Sequence, residues 1–166
     1  MDPAPLFPFG HGLSYTRFTW SYPLLDGCPT GEGAVALPTD GEVTVGCTVR
    51  NDGPVRGTEV VQLYLSDPVA AVTGPVRRLI GYARLDLEPG QESGVESAVH
   101  ADLAAYTGPD PRRIVDPGDL VPRLSASCAD PGIALRLRLH GPVREVGPTR
   151  RPLAQNRIRG PRIHPG

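Results

Sequence analysis

The sequence predicts an all-β protein, a β-sandwich of about seven strands, and two observations carry that expectation. Apolar residues recur with period two in run after run, the mark of strands with one buried face. Clusters of Gly, Pro, Asn and Asp separate these runs, and almost no segment shows helical spacing. The 166 residues allow one domain, or one domain with a tail, and are too few for an eight-fold β/α barrel of roughly 250 residues.

Taken in order, Phe18, Trp20 and Tyr22 fall on one face of a first strand. Over 42–50, Val43, Val45, Cys47 and Val49 line one side, with Glu42, Thr44, Gly46, Thr48 and Arg50 on the other. Asn51-Asp52-Gly53-Pro54 reads as a turn, since Asn, Asp and Gly tolerate positive φ. Over 58–66, Val61, Leu63 and Leu65 share a face and Val60 and Tyr64 the opposite one, which predicts a central strand covered on both sides. Glu59, at its start, is expected to face solvent or a neighbouring domain. Residues 78–87 set Ile80 and Tyr82 against Leu79, Leu85 and Leu87, and Glu88-Pro89-Gly90-Gln91 is a turn by composition. In 93–100, Val95 and Val99 are in register. Residues 102–106 read as one helical turn with Asp102 as its N-cap. The strand over 120–127 holds Pro122, which lacks a ladder donor and suits an edge or a bulge. Finally, Ile133, Leu135, Leu137 and Leu139 alternate with Ala134, Arg136, Arg138 and His140; a one-residue slip would bury two arginines, so the register is strongly fixed.

The two ends differ from this pattern. Residues 1–12 are rich in Pro, Gly and Phe and have no period; they read as a linker or docking segment. Residues 147–166 are rich in Arg, Pro and Gly, with too few apolar side chains to offset the entropy of ordering, and are expected to be disordered. The sandwich is thereby assigned to 13–146. All 17 basic residues are Arg. Residues 1–146 hold 12 of them against all 18 acids, a balance of −6, and residues 147–166 hold 5 against none, a balance of +5. The acidic body argues against a nucleic-acid-binding domain. No apolar run reaches 18 residues, so no membrane span is expected. The start Met1-Asp2-Pro3-Ala4-Pro5 lacks the basic and apolar regions of a secretory signal, which makes cytoplasmic residence the default expectation. Three cysteines, Cys28, Cys47 and Cys128, form no C-x-x-C pair and read as free thiols in a reducing compartment, with Cys47 a buried apolar residue among the valines.

The segment Pro5-Leu6-Phe7-Pro8-Phe9-Gly10-His11-Gly12-Leu13-Ser14-Tyr15-Thr16-Arg17-Phe18 closely resembles one found in glycoside hydrolase family 3 enzymes of the β-glucosidase type. The likeness continues in order through 45–53, 57–68 (Gly-Thr-Glu-Val-Val-Gln-Leu-Tyr-Leu-Ser-Asp-Pro), 78–82, 87–91, Asp102-Leu103 with Tyr106, and Val115-Asp116-Pro117-Gly118-Asp119. It covers about residues 4–146. The resemblance implies the C-terminal fibronectin type III-like domain of such an enzyme, an immunoglobulin-like sandwich, with the segment at its start linking it to an α/β domain. The chain departs from the family pattern at Pro122, at Gly74, where the family commonly has Arg, and throughout the Arg-rich segment after Val146.

Enzymes of that family are retaining and need two carboxylates about 5–5.5 Å apart. The resemblance places the nucleophile in a barrel and the acid/base in the α/β domain, and neither has a matching position here, so no catalytic residue is assigned. The acidic residues sit mainly in turns (Asp52, Asp67, Asp116, Asp119, Asp130) or on polar strand faces (Glu42, Glu96). His11, His100, His140 and His164 are too scattered for a metal site, and no cofactor is expected. The expected work is accessory: Leu6, Phe7, Phe9 and Tyr15 dock on the catalytic barrel and α/β domains of a family 3 glycosidase. The alternative is a free-standing carbohydrate- or protein-binding module in which Trp20 and Tyr22 contact sugar or an interface; packing in the core is the competing reading for Trp20.

Overall fold

The computed structural model describes residues 9, 12, 15–31, 33–67, 77–108, 110–149 and 151–163. The strands are β1 (Phe18–Leu25), β2 (Cys28–Pro29), β3 (Val35–Pro38), β4 (Glu42–Asn51), β5 (Gly57–Ser66), β6 (Arg78–Leu87), β7 (Gln91–His100), β8 (Tyr106–Thr107), β9 (Arg113–Val115), β10 (Gly118–Ser125), β11 (Ile133–Ala134), β12 (Leu137–His140), β13 (Arg144–Glu145) and β14 (Gln155–Ile163). A single 3-10 turn, Ala101–Ala104, follows β7. One sheet runs β14-β7-β4-β1-β2 and the second β3-β12-β10-β5-β6, with β11 also on β10; a small third sheet is β13-β9-β8. The all-β sandwich expected from the sequence is the fold observed.

Alternation built the core. Val43, Val45, Cys47 and Val49 of β4 are buried, as are Val95 and Val99 beside them on β7. From the second sheet, Val61, Leu63, Leu65, Leu120, Leu124, Leu137 and Leu139 meet them. Each such side chain contributes about 1.5–3 kcal/mol when fully withdrawn from water. Glu59 departs from expectation. It lies on the core side of β5 with Val61 and Leu63 and is only 4% exposed, its Oε1 accepting the Val60 N–H at 3.0 Å.

Pro122 stands in an interior strand rather than at an edge. On one side β10 pairs with β5, with Pro122 opposite Leu65. On the other, β12 covers residues 118–120 and β11 covers 123–124, leaving an interruption opposite Pro122 where its carbonyl accepts from Leu135 N at 2.9 Å. In an antiparallel strand the N–H of a residue points the same way as its C=O, so the missing donor faces that interruption. The same break divides the expected last strand into β11 and β12, although Leu135, Leu137 and Leu139 keep the predicted buried face. The helical turn is also capped differently: the cap is His100, whose Nδ1 accepts from Asp102 N at 3.1 Å.

Part of the Arg-rich segment, expected to be disordered, forms a strand. Residues 155–163 form β14, paired with the outer edge of β7, while Ala154 N donates to Ile80 O of β6 at 2.8 Å. Backbone pairing with an existing sheet edge needs no apolar side chains, which is why composition alone misjudges it. Glu42 pairs with Arg151 and Glu96 with Arg159 across the same region.

The chain enters the sandwich through a polar knot. Asn51 is fully buried; its Oδ1 accepts from Thr16 Oγ1 at 3.1 Å and Gly53 N at 3.0 Å, and its Nδ2 donates to Val55 O at 2.8 Å and Leu87 O at 3.0 Å. Thr16 fits only because two glycines face it. A Cβ at Gly53 would overlap Thr16 Oγ1, and one at Gly57 would overlap Thr16 Cγ2 and come within 3.1 Å of Phe18 Cζ. At the other end, Arg144 ties the small sheet down, donating through Nε to Thr39 O at 2.9 Å and pairing with the Asp102 carboxylate. Burial pulls the Asp102 carboxyl upward, but the Arg144 hydrogen bond with the charges of His100 and Arg144 outweighs it, and the group titrates below its ordinary range.

Two outcomes follow. Asn51→Ala strands a buried amide donor and two carbonyls and is expected to cost about 2–4 kcal/mol by urea denaturation, against under about 0.5 kcal/mol for a surface control. A carboxyl held below its unfolded pKa stabilises the fold above about pH 3.8, and that contribution disappears as pH falls through the folded value. Asp102→Asn is therefore expected to lose about 1–2 kcal/mol at neutral pH, with the difference from wild type shrinking towards pH 3 in the same titration.

Candidate docking face

One patch on the outer face of the second sheet, at Gln62, Tyr64 and Ser125, is polar and yet buried. Gln62 stands opposite Ser125, and Tyr64 opposite Arg123, on the side of β5 and β10 away from the core. Gln62 is 2% and Tyr64 4% exposed. The Tyr64 hydroxyl donates to Gln62 Oε1 at 2.5 Å, and Gln62 Nε2 passes the chain on to Ala126 O at 2.9 Å. Burial, with a smaller push from Cys128 opposed by Arg77, raises the Tyr64 pKa, so the phenol remains a neutral donor.

What covers these groups is the 126–132 turn. Asp130 organises it by accepting from Ala126 N and Gly132 N, each at 3.0 Å. Arg77 clamps it from the other side, donating through Nη1 to Cys128 O at 2.9 Å and Asp130 O at 3.2 Å. Cys128 N in turn donates to the carbonyl of Phe9 at 3.0 Å. Backbone from the linker region is thus laid against a turn that the buried Gln62–Tyr64 pair supports, while the Phe9 ring stays 67% exposed. Further along, Tyr15 is 93% exposed immediately before Thr16 is locked into the Asn51 knot.

The candidate residues separate accordingly. Leu6 and Phe7 lie outside the described residues. Phe9 and Tyr15 present open rings on a fixed backbone. Trp20, opposite Val49, packs against the core. Tyr22 does not share its face: a bulge between Ser21 and Leu24 and a φ of 51° at Tyr22 turn that ring outwards, 71% exposed. Strict alternation from Phe18 could not foresee the extra residue. Gln62 and Arg77 carry the face without having been singled out, while Asp130 sits in the turn its residue type indicated; the one signal for Gln62 was a polar residue inside a run buried on both sides.

No group of three His, Cys, Asp or Glu that could hold a metal occurs among the described residues. His100 serves as a cap, His140 is exposed, and His11 and His164 lie outside the described residues. Tyr106 donates to Asp116 Oδ2 at 2.9 Å, which ties β8 to the turn before β10. The arrangement positions a segment of chain and offers aromatic surface; it places no nucleophile beside a base. No helix among the described residues is long and apolar enough to cross a membrane.

Residues 59–127 match a sequence family described as "Fibronectin type III-like domain". The chain is similar to a beta-xylosidase of Formosa agariphila, 36% identical over 126 residues that make up 76% of this chain and 16% of that protein. It is 47% identical over 102 residues to a probable beta-glucosidase I of Aspergillus terreus, 61% of this chain and 12% of that one. Among solved structures, a β-glucosidase from Erythrobacter marinus matches with a TM-score of 0.72 and 31% identity, over 84% of this chain and 18% of the other. The chain thus spans less than a fifth of the length of these relatives.

Tyr64→Phe keeps the ring and removes the donor to Gln62. It is expected to lower stability by about 1 kcal/mol in urea, with the Phe9–Cys128 amide losing protection in hydrogen exchange.

Proposed function

The chain carries the fibronectin type III-like domain of family 3 glycoside hydrolases, and from that premise we propose that it is an accessory, non-catalytic domain that docks on the barrel and α/β domains of such an enzyme. Phe9 and Tyr15, with Leu6 and Phe7 preceding them, are the docking residues. The observation that supports this is exposure beside anchoring: the Phe9 ring is open while its carbonyl accepts from Cys128 N, and the Tyr15 ring is open next to Thr16, which is bonded to Asn51. An interface gains most from side chains that are exposed before binding and already held in place, because little ordering entropy remains to be lost. The buried Gln62–Tyr64 pair and the half-buried Arg77 act through that backbone. Free thiols at Cys28, Cys47 and Cys128 accord with residence in the reducing cytoplasm.

The domain's contribution to catalysis is support of neighbours. The test mixes the full chain with a separately expressed barrel and α/β portion of a family 3 β-glucosidase. Co-elution in gel filtration is expected, weakened about tenfold or more by Phe9→Ala or Tyr15→Ala, with no aryl β-glucoside turnover by the chain alone. Turnover by the chain alone, or association indifferent to both substitutions, overturns the proposal. Binding to a soluble β-glucan with a Trp20 fluorescence change would favour the free-standing module instead.

A further inference from the structure

Over residues 155–160, strand β14 places no side chain in the core. Ala154 just before it is buried, but Ile158 is 51% exposed and residues 155–160 all lie at the surface. Backbone pairing with β7 and a set of polar contacts hold it instead. Asn156 touches both large sheets: its Oδ1 accepts from Ser97 Oγ of β7 at 2.6 Å, and its Nδ2 donates to Tyr82 O of β6 at 2.7 Å. Ser93 Oγ donates to Arg159 O at 2.5 Å. Charge supplies the remainder. Arg159 pairs with Glu96, Arg157 stands opposite Glu96 in register, and Arg151 pairs with Glu42. Arg151 and Arg159 of a segment that holds 5 Arg and no acid thus meet acidic side chains of a body whose balance is −6. The Arg159 stem packs over Gly94.

We propose that the outer edge of β7, together with the Ile80 and Tyr82 carbonyls of β6, is a strand-accepting site for an extended arginine-rich segment, and that residues 154–163 of this chain are its resident occupant. Glu96 selects for arginine, and Ser97 with the Tyr82 carbonyl selects for an amide side chain at the position of Asn156. Exposed ion pairs contribute roughly 0.2–1 kcal/mol each and are screened over about 3 Å at 1 M salt. A strand held this way, with no side chain of residues 155–160 in the core, opens separately from the core and exposes an unpaired sheet edge when it does.

Hydrogen exchange on the full chain reads the site. Amides of 155–163 are expected to exchange roughly three- to tenfold faster in about 1 M NaCl than in about 20 mM, with β4 amides unchanged. Arg159→Glu should produce the same acceleration at low salt, Glu96→Arg likewise, and the two together should restore protection. A fluorescent peptide of sequence 152–163 is expected to bind the full-length Arg159→Glu chain, whose own strand is released, and not the wild type. Exchange independent of salt, an Arg159→Glu chain as protected as wild type, or a peptide bound by neither chain overturns the proposal.

Discussion

Asn51 sits where the entering segment, the turn after β4 and the end of β6 converge, and its side-chain amide has no spare group. Thr16 and Gly53 saturate the oxygen, and the Val55 and Leu87 carbonyls saturate the nitrogen. Its main-chain carbonyl receives Gly90 N at 2.8 Å, so the turn leading into β7 is bound to the same residue. A buried amide is tolerable only when every polar atom is paired, and here pairing is possible in one arrangement of three chain segments. The relative placement of β1, β4, β6 and β7 follows from that requirement. Gly53 and Gly57 are part of the same condition, since any side chain at either would displace Thr16.

The two large sheets present unlike outer surfaces. The second sheet buries Gln62 and Tyr64 under a turn and uses them to hold backbone, so aromatic rings attached to that backbone point outwards from a stiff base. The first sheet is charged outside, and its edge strand β7 receives a strand whose Arg159 pairs with its Glu96. Apolar packing accounts for the joint between the sheets, whereas hydrogen bonds and charge account for everything attached to their exteriors. This division explains why a mildly acidic body can carry a strongly basic segment and remain near neutral as a whole.

The core was legible in the sequence because water enforces alternation. Val43, Val45, Cys47 and Val49 occupy the buried side as read, and the doubly covered character of β5 was visible in Val60 and Tyr64. Non-local facts were not legible. Pro122 breaks no rule in its actual setting, but only the partner strands reveal the interruption it faces. Tyr22 turns outwards through a bulge that no residue type announces. β14 owes its order to an edge roughly sixty residues earlier in the chain, and residue composition contains no information about that edge. At the docking face, the aromatic residues were recognisable by type, whereas Gln62 and Arg77 acquire a role only once a turn folds over them.

The Thr16 wedge also determines how force passes through the molecule. Tension applied at Tyr15 meets a side chain seated between two glycines and, directly behind it, the ladder of β1 against β4. That ladder is loaded along its length, with all its rungs resisting together, and the pull is distributed across the whole first sheet. A joint of this kind transmits movement from whatever it is attached to as a lever arm would, with no slack to absorb.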